Sequence, residues 1–470
     1  MSNAFAHPQY KMLLGVALSL VFILIPSALF ARKAKGGSRL SSSLVTGLVL
    51  GTVVGGSSTI GTAQLAYQYG CSALCFHIGG ALGFILLSCF FGRKLKIGGN
   101  QTVVGILRHA YGERTGYLVS LLNCLGTFIA VISQILAASA VVTLFLGDLS
   151  ANLIYWLCAA LMLLYVAFGG TKGTGFAGIL KLVLLTISML ICAGCVYWVS
   201  GGFTGLEALA TDFKALTGLS FFSFAGRGYG RSLSDIFSVS VGIVCTQIYI
   251  QAFVMGNSRK ESRRGFLVSS VVMPVIGILG TLVGLYMRVK MPDIDPKLAL
   301  PAFVMNYLPT SGAGFILGTL LITVVGSGAG LVLGISTILT KDVIADRLGF
   351  LSSISHRLQE IVLLALTLGA ATLFCILSTD QTILNYSVLS MALRAAVVLA
   401  PLSFALFFSQ PICERFVIAA IVLASSIAIG FQYSGFSIVH PLVDGIILGF
   451  LLMFFGIRKS VRPLNAQQMS

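Results

Sequence analysis

Charged side chains are scarce in this chain, making up 9% of 470 residues. A soluble domain carries about 25%. With 57% of residues hydrophobic, too little polar surface remains to face water, which excludes a water-soluble fold and makes lipid the main solvent. Acidic groups are the scarcest, 14 against 30 Lys and Arg. Histidines number five, and only His77 lies well inside an apolar run. A membrane enzyme would need clustered intramembrane His, Asp or Glu, and no HExxH-type motif is present. Cysteines are not scarce, but Cys71/Cys75 and Cys192/Cys195, though helically spaced, lack a nearby His or Cys pair to complete a four-ligand zinc site. They read as small membrane-helix residues. No cofactor is expected, and no metal beyond a sodium ion.

The apolar runs are long. A span needs about 20 mainly apolar residues. Thirteen segments qualify, at roughly 10–31, 43–68, 71–92, 117–146, 152–169, 174–200, 235–256, 265–288, 312–340, 359–378, 383–409, 416–432 and 438–457. The first lacks the basic start of a signal peptide and is read as a retained helix. The chain is therefore expected to be an all-α polytopic membrane protein.

Basic residues set the orientation. With the N-terminus outside, 21 of the 30 Lys and Arg fall in inner loops or the tail and seven outside, while Lys181 and Arg394 lie within spans. That asymmetry is the positive-inside signal. It accounts for the net charge of +16 without a nucleic-acid partner. The expected place is the cell (inner or plasma) membrane, with the C-terminus in the cytoplasm. Two long outer loops, 201–234 and the Pro-rich 289–311, read as lids or covers over helix ends.

Most spans are plain Leu, Val, Ile and Ala. The second is not. From Gly51 through Gly55, Gly56, Ser57, Ser58 and Thr59 to Thr62 it holds four glycines and five hydroxyls in twelve residues, a poor helix by propensity. Broken backbone survives in lipid only where it is buried in protein or lines a polar cavity. Its freed carbonyls hold cations and its half-helix N-termini hold anions. Close packing through small residues is the competing reading. The ninth span carries a second such stretch, Thr323 to Gly330. It has neither the strand nor the lysine of a nucleotide loop. The seventh span carries Gly242, Thr246, Gln247 and Gln251, and the fourth carries Ser133 and Gln134. Lys181, about seven residues into the sixth span, either snorkels to the interface or is functional. Arg394, near mid-span, reads as a structural clamp or a residue of the solute path, the clamp being favoured.

These residues carry a resemblance. The chain resembles the sodium:solute symporter family, which includes proline, pantothenate, sialic acid and sugar carriers. The shared features are the Gly/Ser-rich second span ending in Ile60-Gly61 and the run Tyr165 to Gly170. The most specific is Gln247-Ile-Tyr-Ile-Gln251 followed by the basic loop Asn257 to Gly265. Ser336 to Asp342 and Leu393-Arg394 before Pro401 complete the set. The resemblance implies a leucine-transporter-like fold with two inverted five-helix repeats. The units would be 1–42 (flanking helix and inner loop), 43–200 (first repeat), 201–234 (outer loop), 235–409 (second repeat) and 410–470 (flanking helices and tail). It also implies a substrate site between broken second and seventh spans and function as a single chain.

Gly55, Gly56, Ser57, Ser58, Gln134, Gly242, Thr246 and Gln247 are the expected substrate-binding residues. The family's sodium site would map to Gly51, Val54, Thr323, Gly326 and Ser327, and of its two hydroxyl positions only Ser327 keeps the hydroxyl. Where the family commonly has Thr-Asp and Gln early in the sixth span, this chain has Ala177-Gly178 and Lys181. A carboxylate and a hydroxyl are missing and an ammonium has appeared, so Lys181 is the coupling candidate. The expected activity is import of a small organic solute, an amino acid or a carboxylate, driven by a sodium or proton gradient. One alternative is sodium-independent, proton-coupled transport or exchange with Lys181 replacing the ion. Another is a transporter-like sensor; with 13 residues after the last span, that would need a separate signalling chain.

Overall fold

Apolar runs in lipid must satisfy their own backbone groups, and helices do so. The computed structural model describes residues 14–19, 21–22, 40–97, 102–147, 149–169, 174–340, 356–378, 382–408, 410–434 and 441–457. Their β structure is limited to two isolated bridges, Leu40 with Gly256 and Ile412 with Ile457.

The helices are α1 (Ser42–Val53), α2 (Gly56–Tyr69), α3 (Cys75–Cys89), α4 (Val103–Tyr111), α5 (Glu113–Phe145), α6 (Ala151–Gly169), α7 (Thr174–Ser200), α8 (Gly202–Thr217), α9 (Tyr229–Cys245) and α10 (Gln247–Val254). Then follow α11 (Arg259–Lys290), α12 (Ala299–Tyr307), α13 (Thr310–Ile338), α14 (His356–Leu377), α15 (Ile383–Phe407), α16 (Glu414–Ser434) and α17 (Pro441–Phe455). Among the described residues, seven helical stretches are long and apolar enough to cross a membrane, and an eighth is the pair α9–α10, bent by 52°. Of the expected spans, the one at 10–31 lies largely outside the described residues; the others overlap helix, with the second and seventh interrupted and the helices at the seventh and eighth beginning six residues early, at Tyr229 and Arg259.

Packing repeats with a five-span offset. α1 packs on α7 as α9 packs on α15; α2 packs on α11 as α9 packs on α3; α5 packs on α15 as α13 packs on α7. Glycines permit the closest of these crossings. A Cβ on Gly178 would lie 2.4 Å from the Gly47 carbonyl oxygen, and one on Gly51 would lie 2.4 Å from the Gly178 Cα. Only bare backbone allows α1 and α7 to meet this closely.

Three features depart from the sequence reading. The outer loops are partly helical, as α8 and α12. Pro301 is tolerated as the third residue of α12, where the helix's first N–H groups have no intrahelical partner to lose. The Gly-rich ninth span is not broken: α13 runs unbroken from Thr310 to Ile338, and Gly318 and Gly328 serve packing. A Cβ on Gly328 would meet the Met162 sulfur at 2.6 Å. The inner loop before the fourth span holds the amphipathic α4, capped by the Thr102 hydroxyl, which accepts from the Gly105 N–H at 2.8 Å.

The basic loop is a clamp. Ser258 caps α11 by accepting from the Glu261 N–H at 3.2 Å. Glu261 in turn accepts from the Ser42 N–H at 2.8 Å, fastening the start of α11 to the start of α1. Asn257 N–H donates to the Leu40 carbonyl at 2.7 Å, so one short segment fixes where α1 begins.

Candidate functional site

Two helices are interrupted mid-bundle. Between α1 and α2 the chain unwinds at Val54 and Gly55. An α-helix end leaves carbonyls without partners and concentrates partial negative charge. Val54 N–H returns to the Leu50 carbonyl at 2.7 Å and Gly55 N–H to the Val53 carbonyl at 3.1 Å. The Gly51 carbonyl takes a different donor. Lys181 Nζ, one turn beyond the α1–α7 glycine contact, donates to it at 3.3 Å and to Ser327 Oγ of α13 at 3.3 Å. Lys181 is 4% exposed, so it does not snorkel to the interface.

Gly326 explains how the ammonium fits. A Cβ there would stand 3.2 Å from Lys181 Nζ and 3.0 Å from Tyr165 Cζ. A larger residue would compete with the lysine head for this space. Val54 and Thr323 are buried on the same elements, with the Thr323 hydroxyl turned back to the Thr319 carbonyl at 2.7 Å.

The other half-helix is capped from within. Gly56 N–H, at the start of α2, donates to Gln134 Oε1 at 3.0 Å, and Gln134 Nε2 reaches Ser57 Oγ at 3.5 Å. Ser58 Oγ accepts from Gly55 N–H at 3.0 Å. Gly55, Gly56, Ser57, Ser58 and Gln134 thus satisfy one another, and none of them lines the cavity described next. Gly242 packs against Met391, with a built Cβ 2.5 Å from the Met391 Cβ.

The second break falls at Thr246, between α9 and α10. Its hydroxyl donates to the Gly242 carbonyl at 2.6 Å and accepts from Arg394 Nη1 at 3.1 Å. Gln247 Oε1 accepts from Val103 N–H at 2.6 Å, joining α10 to α4. A cavity of about 430 Å³ runs between the two breaks, lined by Gly51, Lys181, Ser327, Thr246, Gln247 and Arg394 among others. It continues to Thr337 and Ile338 at the end of α13 and to Thr102 beside α4. Asn123, Thr127 and Tyr165 also line it; the sequence reading left all three out of the site. Their spacing in long apolar helices offered no signal that would have selected them.

The other end of the bundle is tied shut. Arg227 donates to Asp235 Oδ2 at 2.7 Å and to Asn385 Oδ1 at 2.6 Å, linking the α8–α9 loop to α9 and α15. Its guanidinium lies over Tyr69, 5.8 Å from the ring centroid. Gln64 Oε1 accepts from Ile383 N–H at 2.9 Å on the same face.

Comparison with known proteins sets this arrangement among transporters. Residues 36–413 match the family model described as Sodium:solute symporter family. The high-affinity choline transporter 1 of Caenorhabditis elegans is 23% identical over 199 residues, 38% of this chain and 34% of that protein. The uncharacterized symporter YidK of Escherichia coli K12 is 22% identical over 324 residues, 65% of this chain and 56% of that protein. The chain spans a third to just over half of the length of these two relatives. A substrate-bound outward-open structure of a Na+-coupled sialic acid symporter superposes with a TM-score of 0.73 at 16% identity, covering 96% of this chain and 98% of that one. A nucleobase-cation-symport-1 family transporter, Mhp1, in a closed conformation gives 0.59 at 12% identity, covering 90% and 95%. The fold is the leucine-transporter-like one that the paired breaks and offset packing describe. With the family model matched over most of its length, the chain belongs to the sodium:solute symporter family.

Proposed function

We propose that this protein is a secondary active symporter that carries a small organic solute by alternating access, with the Lys181 ammonium standing where its relatives bind sodium. The observation that carries this reading is the pair of hydrogen bonds from Lys181 Nζ to the Gly51 carbonyl and Ser327 Oγ. Both acceptors are positions to which the family's sodium site maps. A charged Lys181 holds α1, α7 and α13 together; on giving up its proton to the cavity it becomes a weaker tie. That cycle couples solute movement to protons. Tyr165 is another titratable group beside it, and among the described residues no Asp or Glu lines the cavity. The segments 43–200 and 235–409 are the two repeats that rock against each other, in a single chain with its N-terminus outside and C-terminus in the cytoplasm. On this orientation the cavity faces the cytoplasm.

Sodium coupling is the second reading. Family membership favours it, with the ion held by carbonyls and Ser327. Uptake by proteoliposomes in sodium or in choline, each with and without an imposed proton gradient, separates the two. Uptake that follows the proton gradient and ignores sodium supports Lys181 as the built-in cation. Uptake that requires sodium removes it.

The Arg227–Asp235 pair is the proposed outer closure. Breaking a buried pair by removing one partner costs about 3–5 kcal/mol. Asp235→Asn is therefore expected to favour the outward-open state. Buried Cys71 and Cys75 lie under the loop that Arg227 anchors; Cys71 N–H donates to the Phe221 carbonyl at 2.8 Å. Labelling of these thiols by a membrane-impermeant maleimide is expected to rise about tenfold or more, and an unchanged rate would show that the pair does not hold the gate.

A further inference from the structure

We infer that the cavity takes an organic anion, its carboxylate held by Arg394 beside the α9–α10 break. The inference rests on the transporter reading and narrows its cargo.

Arg394 is 3% exposed and has no carboxylate partner among its bonds. Nε donates to the Ser390 carbonyl at 3.1 Å, Nη1 to Thr246 Oγ1 at 3.1 Å and Nη2 to Ser390 Oγ at 2.6 Å. A guanidinium has five N–H donors, so one remains on each terminal nitrogen. Two such donors are the complement of a carboxylate's two oxygens. A clamp between α15 and the break accounts for the three bonds made. It does not account for a buried cation on a cavity wall with no counter-ion.

Asn123 offers a second polar contact. It is 2% exposed and lines the cavity, and its Oδ1 has no hydrogen-bond partner. An amide oxygen accepts, so it suits a hydroxyl or N–H elsewhere on the same ligand rather than the ligand's carboxylate. Unpartnered buried polar atoms cost stability unless something completes them.

Charge on the walls sets the sign. Among the described residues the lining holds two cations, Lys181 and Arg394, and no Asp or Glu. A ligand ammonium would face repulsion from both. The Gly51 carbonyl that would otherwise receive it is already bound to Lys181. The volume of about 430 Å³ lies within the range of small-molecule sites, about 300–1,000 Å³.

The test uses the purified full-length protein and acetate, lactate and succinate as probes. Lactamide, choline and glucose are the uncharged or cationic counterparts. Thermal midpoint and calorimetric titration read binding. At least one carboxylate is expected to bind, and lactamide at least tenfold more weakly than lactate. Arg394→Gln is expected to weaken carboxylate binding about 10- to 100-fold, the worth of a charge-assisted pair, with partial recovery in Arg394→Lys. The lactate and lactamide comparison needs no variant, so it decides the question even if Arg394→Gln fails to fold. The inference is overturned if no carboxylate binds, or if lactamide, choline or glucose binds as tightly as the carboxylates. Uptake of glucose or choline by proteoliposomes would overturn it while leaving secondary transport standing. Carboxylate binding with no uptake of any solute would support the anion site and count against transport.

Discussion

Lys181→Met is expected to abolish coupled uptake and to make residual solute exchange indifferent to pH, with the fold retained. Methionine approximates the length and volume of the lysine stem, so the α1–α7 crossing at Gly47, Gly51 and Gly178 has no reason to move. What disappears is the donor shared by the Gly51 carbonyl and Ser327 Oγ. Hydrogen bonds to a charged group contribute roughly 1.5–3 kcal/mol, about 10- to 100-fold in any equilibrium they control. The folded state should lose less, about 1–3 kcal/mol, because both orphaned acceptors line the cavity and water can reach them. The measurement is uptake at an acidic and an alkaline pH beside the thermal midpoint of the same preparation. Intact, pH-dependent uptake in the variant would sink the idea that Lys181 replaces the ion. A collapse of the midpoint with no soluble protein would instead mark the lysine as a folding element, and Lys181→Arg would then keep the charge and test whether transport follows it.

The fold was legible because lipid imposes one rule. Each spanning run had to be a helix, and a run such as 174–200 coincides with α7 at both ends. The break between α1 and α2 was legible for the same reason in reverse: four glycines and five hydroxyls in twelve residues cannot sustain a regular helix without help. In α13 the same composition goes with the competing reading, packing. Gly326, Ser327, Gly328 and Gly330 form a second stretch of small residues, yet the helix stays intact: Tyr165 and Lys181 crowd Gly326 and Met162 crowds Gly328, while Gly330 opens on the cavity. Composition reports that side chains are small. It does not report whether a cavity or a partner helix takes up the room.

The site was legible in part. Gly51, Lys181 and Ser327 come together, and the signal was a set of departures from a pattern: a lost hydroxyl at Gly326 and a new ammonium on the facing helix. The residues around the first break were harder. Ser57, Ser58 and Gln134 are polar and buried, as a binding site requires, but they spend their hydrogen bonds on the half-helix end that the break creates. A broken helix generates its own demand for polar partners, and sequence alone does not separate that demand from a ligand's. Arg394 illustrates the converse. The clamp reading captures its bonds to Ser390 and Thr246, and the path reading it was weighed against captures the cavity on its free side.

Gly326→Ser combined with Lys181→Gln is expected to convert the protein into one stabilised by sodium. In the parent, Gly326→Ser alone should be harmful: its Cβ would stand 3.2 Å from Lys181 Nζ and 3.0 Å from Tyr165 Cζ, and overpacking of this kind costs about 1–3 kcal/mol. Lys181→Gln alone leaves the site short of the second family hydroxyl. Together the changes should relieve each other, since the shorter glutamine vacates the space the new side chain needs and offers a carbonyl oxygen in place of an ammonium. Residues in contact commonly show interaction energies of about 0.5–3 kcal/mol, so the double variant should be more stable than the sum of the singles predicts. A sodium ion then has the Gly51 carbonyl, Ser327 Oγ, the introduced hydroxyl and the amide oxygen to bind. At a concentration a hundredfold above its dissociation constant, a ligand specific to the native state stabilises it by about 2.7 kcal/mol. Thermal midpoints of the parent, both singles and the double, each in sodium and in choline, give the answer in one experiment. A sodium-specific rise confined to the double variant would mean that the ammonium and the ion are alternative occupants of one site. Strictly additive losses, with no difference between sodium and choline in any of the four, would mean that Lys181 stands near a site that was never there to fill.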